Sequence, residues 1–159
     1  MRKVIYLLLC LLLPLTSMAK GEDELKYDLA AAGVGAEGTT LVKVSVYVSK
    51  AKNATADLLR LAAVHGIIFR GLSETGSTGY AKQQALAEAG AEEQWADYFA
   101  AFFATGGDYT RYASMVGGIT EMTKVEKQYR ATAVVSVSTD ALKKALREAG
   151  VIKGMTDGF

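Results

Sequence analysis

The sequence predicts an α+β fold, a single domain with about four mainly antiparallel strands and helices packed on one face. Two strand patterns and the helices beside them carry this reading. Residues 40–49 set Val42, Val44, Val46 and Val48 against Leu41, Lys43, Ser45, Tyr47 and Ser49, the period of two expected of a half-buried strand. Residues 125–137 repeat the pattern. Val125, Tyr129, Ala131, Ala133, Val135 and Val137 share one side, and Glu126, Gln128, Arg130, Thr132 and Ser136 share the other. A strand dry on one side and wet on the other belongs to a sheet covered on a single face. The expected order is β-α-β-α-β-β-α.

Residues 1–19 read as an export signal. Arg2 and Lys3 precede a twelve-residue apolar run from Val4 to Leu15, and Ser17-Met18-Ala19 places small residues before a cleavage at Lys20. Twelve residues fall short of the ~20 that a spanning helix needs. A retained anchor is the alternative to cleavage. Cys10, the one cysteine, leaves with the signal, so the mature chain has no disulfide and no thiolate chemistry. Removing nineteen residues from 159 leaves 140, enough for one domain with its own core. Without Arg2 and Lys3, 16 basic residues face 17 acidic ones, a net charge of −1. This balance gives no basic stripe for nucleic acid.

Residues 20–38 read as an N-terminal tether or short helix, and 39–159 as the domain. Gly33-Val-Gly35-Ala-Glu-Gly38 matches the glycine spacing of dinucleotide loops, but it leads into a strand rather than opening a helix, so it reads as a turn. After the strand at 40–49, Asn53 is placed to cap a helix bearing Leu58, Leu61, Ala62 and His65 on one stripe. Gly66 is placed to end it, and Ile67-Ile68-Phe69 to begin a second strand. Residues 71–80, rich in glycine and hydroxyls, read as a surface loop. Residues 92–105 form an aromatic helix in which Trp95, Phe99 and Phe102 make a core stripe. Residues 108–116 are read as the third strand, Gly117-Gly118 as a turn or bulge, and 140–149 as a last helix burying Leu142 and Leu146.

The chemistry is sparse. His65 is the only histidine, and with no mature cysteine beside it, it reads as a hydrogen-bonded structural residue. Neither a metal site nor a triad has its partners, and no cofactor is implied. Glu74, Asp97, Asp108 and Glu121 are the acids a carboxylate-only hydrolase would draw on, and no spacing singles out a pair.

Two blocks are family-like: Ala63-Val-His-Gly-Ile-Ile-Phe-Arg-Gly71 and Ala149-Gly-Val-Ile-Lys-Gly154, with Phe102-Phe103 and Gly106-Gly107 between them. With these the chain, from about Gly33 onward, resembles a family of uncharacterised secreted proteins of Bacteroidetes. The resemblance implies an envelope location in a Gram-negative cell and transfers no catalytic residue. More distantly, the strand–helix–strand order is similar to small periplasmic modules such as the N-terminal domains of TolB and FlgT, which implies an assembly role.

These features support three functional expectations. The first is an exported periplasmic interaction or assembly module without catalysis, free or associated with the outer membrane, that binds an envelope protein or a second copy. Its contact residues would be Lys43, Tyr47, Arg130 and Thr132 on the wet side of the sheet. The second is a small-ligand-binding protein whose site gathers Ser73, Glu74, Tyr80, Asp108 and Tyr109 above the Trp95/Phe99 stripe. The third is the carboxylate-only hydrolase.

Overall fold

The computed structural model describes residues 24–73 and 82–153. They form one α+β domain with a four-stranded, fully antiparallel sheet. The strands are β1 (Tyr27–Val34), β2 (Thr40–Val48), β3 (Ala113–Val125) and β4 (Gln128–Val137), in spatial order β1-β2-β4-β3. Helix α1 (Ala56–Phe69) follows β2. The short helices α2 (Ala91–Gln94) and α3 (Ala96–Phe102) precede the β3–β4 hairpin, and α4 (Thr139–Glu148) follows it.

The two alternating patterns meet as expected. β2 pairs with β4 without a register break, Val42 opposite Val135 and Val44 opposite Ala133. The dry sides coincide, and Val42, Val44, Val46, Val48, Ala131, Ala133, Val135 and Val137 are all buried. Helix α1 covers them with Leu59, Ala62, Ala63 and Ile67, while α4 adds Leu142 and Leu146. Alanines on both helix and sheet let the two layers approach closely.

One strand comes from a different stretch than expected. Residues 67–69 do not open a strand; they complete α1, which runs through Gly66. The reason is steric. A Cβ on Gly66 would lie 1.7 Å from Leu29 Cδ1 and 3.0 Å from Tyr27 Cε2, so this glycine is where β1 presses on the helix. The helix ends at Arg70, with both Arg70 and Gly71 donating their N–H to the Gly66 carbonyl at 2.8 Å. Its N-terminus is capped by Thr55, whose Oγ1 accepts from the Leu58 N–H, rather than by Asn53.

The replacement strand is β1, in the segment expected to be a tether or short helix. Its sequence, YDLAAAGV, carries little strand propensity of its own. It becomes a strand by pairing with β2, Tyr27 opposite Val46 and Leu29 opposite Val44. The third strand also shifts. Residues 108–111 form a 3-10 turn and β3 begins at Ala113. It bulges between Val116 and Glu121, where Gly117 takes φ +80°, a conformation that L side chains rarely adopt. Glu126 and Lys127 form a two-residue turn into β4. That turn places Val125 opposite Gln128, on the wet side instead of the dry one. The 92–105 helix divides at Trp95, whose backbone (φ −114°, ψ 33°) interrupts it. Phe99 and Phe102 are core as expected. Among the described residues no helix is long and apolar enough to cross a membrane.

Gly66→Ala is expected to destabilise the domain by about 1–3 kcal/mol, the usual cost of overpacking, although alanine favours helix by about 1 kcal/mol. Adding Leu29→Ala should recover part of the loss. Denaturant unfolding of both variants checks this, and a stabilised Gly66→Ala would contradict the close approach of β1.

Candidate interaction surface

The wet side of the sheet is an open face, and its polar groups form a cross-strand network. The Tyr47 hydroxyl donates to Asp28 Oδ2 at 2.7 Å, joining β2 to β1. The Arg130 guanidinium donates to Glu121 Oε1 at 2.9 Å, joining β4 to β3, and the Thr123 hydroxyl donates to the same oxygen at 2.9 Å. Ser45 and Thr132 share a hydroxyl hydrogen bond of 2.8 Å between β2 and β4. Register explains the arrangement: Tyr47 stands opposite Arg130, and Ser45 opposite Thr132. The bond to Asp28, reinforced by partial burial and the carboxylate's charge, holds the Tyr47 phenol pKa above its ordinary value. The Thr123 hydroxyl, then Arg130, holds the Glu121 carboxyl below its ordinary value. Glu121 in turn raises the Arg130 pKa.

Of the four expected contact residues, Lys43, Tyr47 and Arg130 present surface on this face, but Thr132 does not. It is 2% exposed, flanked in register by Ser45 and Glu121, with its carbonyl accepting from the Thr120 hydroxyl at 3.0 Å. Thr132 braces the sheet. Asp28 and Glu121 belong to the network and were not anticipated, because their strands lie outside the stretches whose alternation was clear.

The two edges of the sheet differ. At β1, Arg70 donates to the Tyr27 carbonyl at 3.3 Å, Ser73 Oγ donates to the Leu29 carbonyl at 2.9 Å, and Ser73 forms a parallel bridge with Ala30. That edge is covered along Tyr27–Ala30. At β3 no strand or loop among the described residues pairs with the outer edge. Four large apolar residues stand exposed along it: Val116 (46%), Ile119 (39%), Met122 (42%) and Val125 (39%). An apolar edge strand with free backbone groups is a surface that monomeric proteins ordinarily blunt.

Among the described residues of the ligand-binding expectation, Ser73 and Tyr109 border different hollows. Ser73 lines a hollow with Tyr27, Asp28, Leu29 and Arg70, whereas Tyr109 is buried beside a second hollow with Thr55, Leu58, Leu61 and Phe103. Asp108 is paired with Arg111 at 3.6 Å. Trp95 borders a third hollow. Glu74 and Tyr80 lie outside the described residues.

His65 is held at both ring nitrogens, as a structural histidine should be. Tyr27 Oη lies 2.6 Å from Nδ1, and Glu92 Oε1 lies 3.0 Å from Nε2. With the proton on Nε2, the neutral ring accepts from the phenol and donates to the carboxylate. The row resembles a catalytic relay, but its terminal group is wrong for attack. Burial pushes the Tyr27 phenol up to about 12, against the pull of Arg70, whose guanidinium lies 4.1 Å from the ring centroid. A buried, protonated phenol is a poor nucleophile, so the row ties β1 to α1 and to the start of α2. No spacing in the sequence marks Glu92 as the partner of His65. Comparison with protein-family models, curated proteins and solved structures finds no match to this chain.

Tyr27→Phe should leave His65 Nδ1 without its donor and cost about 1–3 kcal/mol in chemical denaturation. An unchanged midpoint would mean the row carries no stability. Glu121 should titrate, by side-chain carbonyl NMR, below the ~4.3 of a free glutamate. A depressed carboxyl pKa adds stability above its unfolded value and loses it as pH falls through the folded value, so the Glu121–Arg130 pair should open only in acid. Arg130→Gln should return the midpoint towards the free value.

Proposed function

We propose that this chain is an exported cell-envelope module, residing in the periplasm, whose role is interaction or assembly without catalysis of its own. The observation that supports the reading best is the β3 edge. Val116, Ile119, Met122 and Val125 are left exposed on a strand whose outer hydrogen-bonding groups have no partner among the described residues. Strand addition would satisfy both: a partner's backbone would continue the ladder, and its side chains would cover the apolar ones. The open face beside it supplies Lys43, Tyr47 and the Glu121–Arg130 pair as a polar rim. Apolar centre and polar rim are the ordinary anatomy of a protein interface. The export half of the proposal rests on the charged, apolar and small-residue pattern of residues 1–19.

The test is crosslinking in cells followed by affinity capture of the tagged chain from the envelope fraction, beside sedimentation of the pure protein. Met122→Lys with Val125→Lys should abolish a reproducible partner or a self-crosslink. Exposed changes of this kind usually alter stability by no more than about 0.5 kcal/mol, so the double variant should still melt like the parent. An undiminished crosslink in a folded double variant would rule out the β3 edge as the interface. Recovery of the chain only from the cytoplasm would rule out export.

A further inference from the structure

On the helical side of the sheet, a hollow of about 430 Å³ opens between the last turns of α4, residues 85–88 and Trp95. It shares no residue with the β3 edge or the open face, so any role it has is independent of the proposed interaction surface. Its size lies within the ~300–1,000 Å³ of ordinary small-ligand sites. Its two walls differ in chemistry. One is apolar, made by Leu86, Ile152 and the half-buried indole of Trp95. That indole is set by the break between α2 and α3 and lies close to the turn that ends α4, where a Cβ on Gly150 would be 3.8 Å from Trp95 Cη2.

The other wall is cationic. Lys143 and Arg147 are four residues apart on α4, so both reach into the hollow from one helix face, and Lys153 stands at its rim. Two of its three cations have acidic partners: Glu88, which also lines the hollow, pairs with Lys153 at 3.2 Å, and Asp140 pairs with Lys143 at 3.9 Å. Among the described residues Arg147 has no carboxylate partner. The last carbonyls of α4 do not serve either. Those of Ala145, Leu146 and Arg147 accept from the N–H groups of Ala149, Val151 and Gly150. Arg147 is thus the cation of the hollow left without a carboxylate partner among the described residues, and it shares the lining with the Trp95 indole.

We propose that this hollow is a binding site for a small aromatic carboxylate. The ligand's ring lies against Trp95, Leu86 and Ile152, and its carboxylate takes the fork of Arg147 with the Lys143 ammonium beside it. A bare inorganic anion would leave the apolar lining uncovered, and a neutral aromatic would leave Arg147 unanswered. Both halves of the ligand are therefore specified.

Trp95 is the only tryptophan in the chain, so its indole N–H gives a single NMR signal placed at the site. The experiment is titration of ¹⁵N-labelled protein at low ionic strength with 2-naphthoate and, separately, with the uncharged 2-naphthalenemethanol. The same pair is then run on Arg147→Gln. 2-Naphthoate is expected to move the Trp95 indole signal saturably. The alcohol, and naphthoate on Arg147→Gln, should bind at least about tenfold more weakly, as expected for loss of one charge-assisted hydrogen-bonded pair. Arg147 is exposed, and a spectrum otherwise superimposable on the parent's confirms that the variant is folded. The absence of a saturable shift with naphthoate would overturn the proposal. So would equal affinity for the alcohol, or undiminished naphthoate binding by Arg147→Gln.

Discussion

The structure depends on how closely α1 can lie against β1. Gly66 has no side chain at the position where Leu29 and Tyr27 approach, and Ala62 and Ala63 keep the same helix low over the valines of β2. That closeness sets the contacts on either side of the glycine. His65, one residue earlier, reaches the Tyr27 hydroxyl, and Arg70, four residues later, covers the Tyr27 ring and bonds its carbonyl. The Ile67 and Ile68 carbonyls, near the helix end, accept from the N–H groups of Leu86 and Ala87. The chain returning from residue 82 is thus placed against α1, and Trp95 and the aromatic cluster with it.

Where the sequence was legible, burial and period agreed. The valines at 42, 44, 46 and 48 and the alternation at 131–137 predicted two strands, and those strands form the centre of the sheet. Ile67-Ile68-Phe69 misled because a short β-branched run after a glycine suits a strand as well as a buried helix end. Only contact with Leu29 distinguishes the two, and that contact lies 37 residues away in sequence. β1 was illegible for the converse reason. Alanines in YDLAAAGV show no alternation, and the segment is a strand because β2 offers it a ladder. The β3–β4 turn at Glu126-Lys127 lacks the Asn-Gly signal that would have fixed the register of the hairpin.

The candidate surfaces were legible only in part. Lys43, Tyr47 and Arg130 belong to the wet side of the two clear strands. Asp28 and Glu121, which engage two of them, come from the two strands whose position or extent the pattern did not reveal. The exposed line on β3 was hidden because alternation alone puts Val125 on the dry side. Val116, Ile119, Met122 and Val125 are exposed along one edge rather than on one face: Val116, opposite Val134, and Val125, opposite Gln128, lie on the wet side, and Met122, opposite Ala131, on the dry side. Helical spacing alone places Trp95 in a continuous core stripe. The break in the helix turns it instead toward α4.

The unequal edges of the sheet also limit how large an assembly can become. A sheet open at both sides can recruit a neighbour on each, and repetition of that contact has no natural end. Here Arg70 and Ser73 occupy the β1 side, leaving β3 as the only open flank among the described residues. A contact made through β3 alone would give the molecule a valence of one along the direction of its sheet. Joined to a copy of itself through β3, it would form a pair with the partly covered β1 at either end. Joined to a different protein, it would act as a terminator, finishing the partner's sheet instead of extending it.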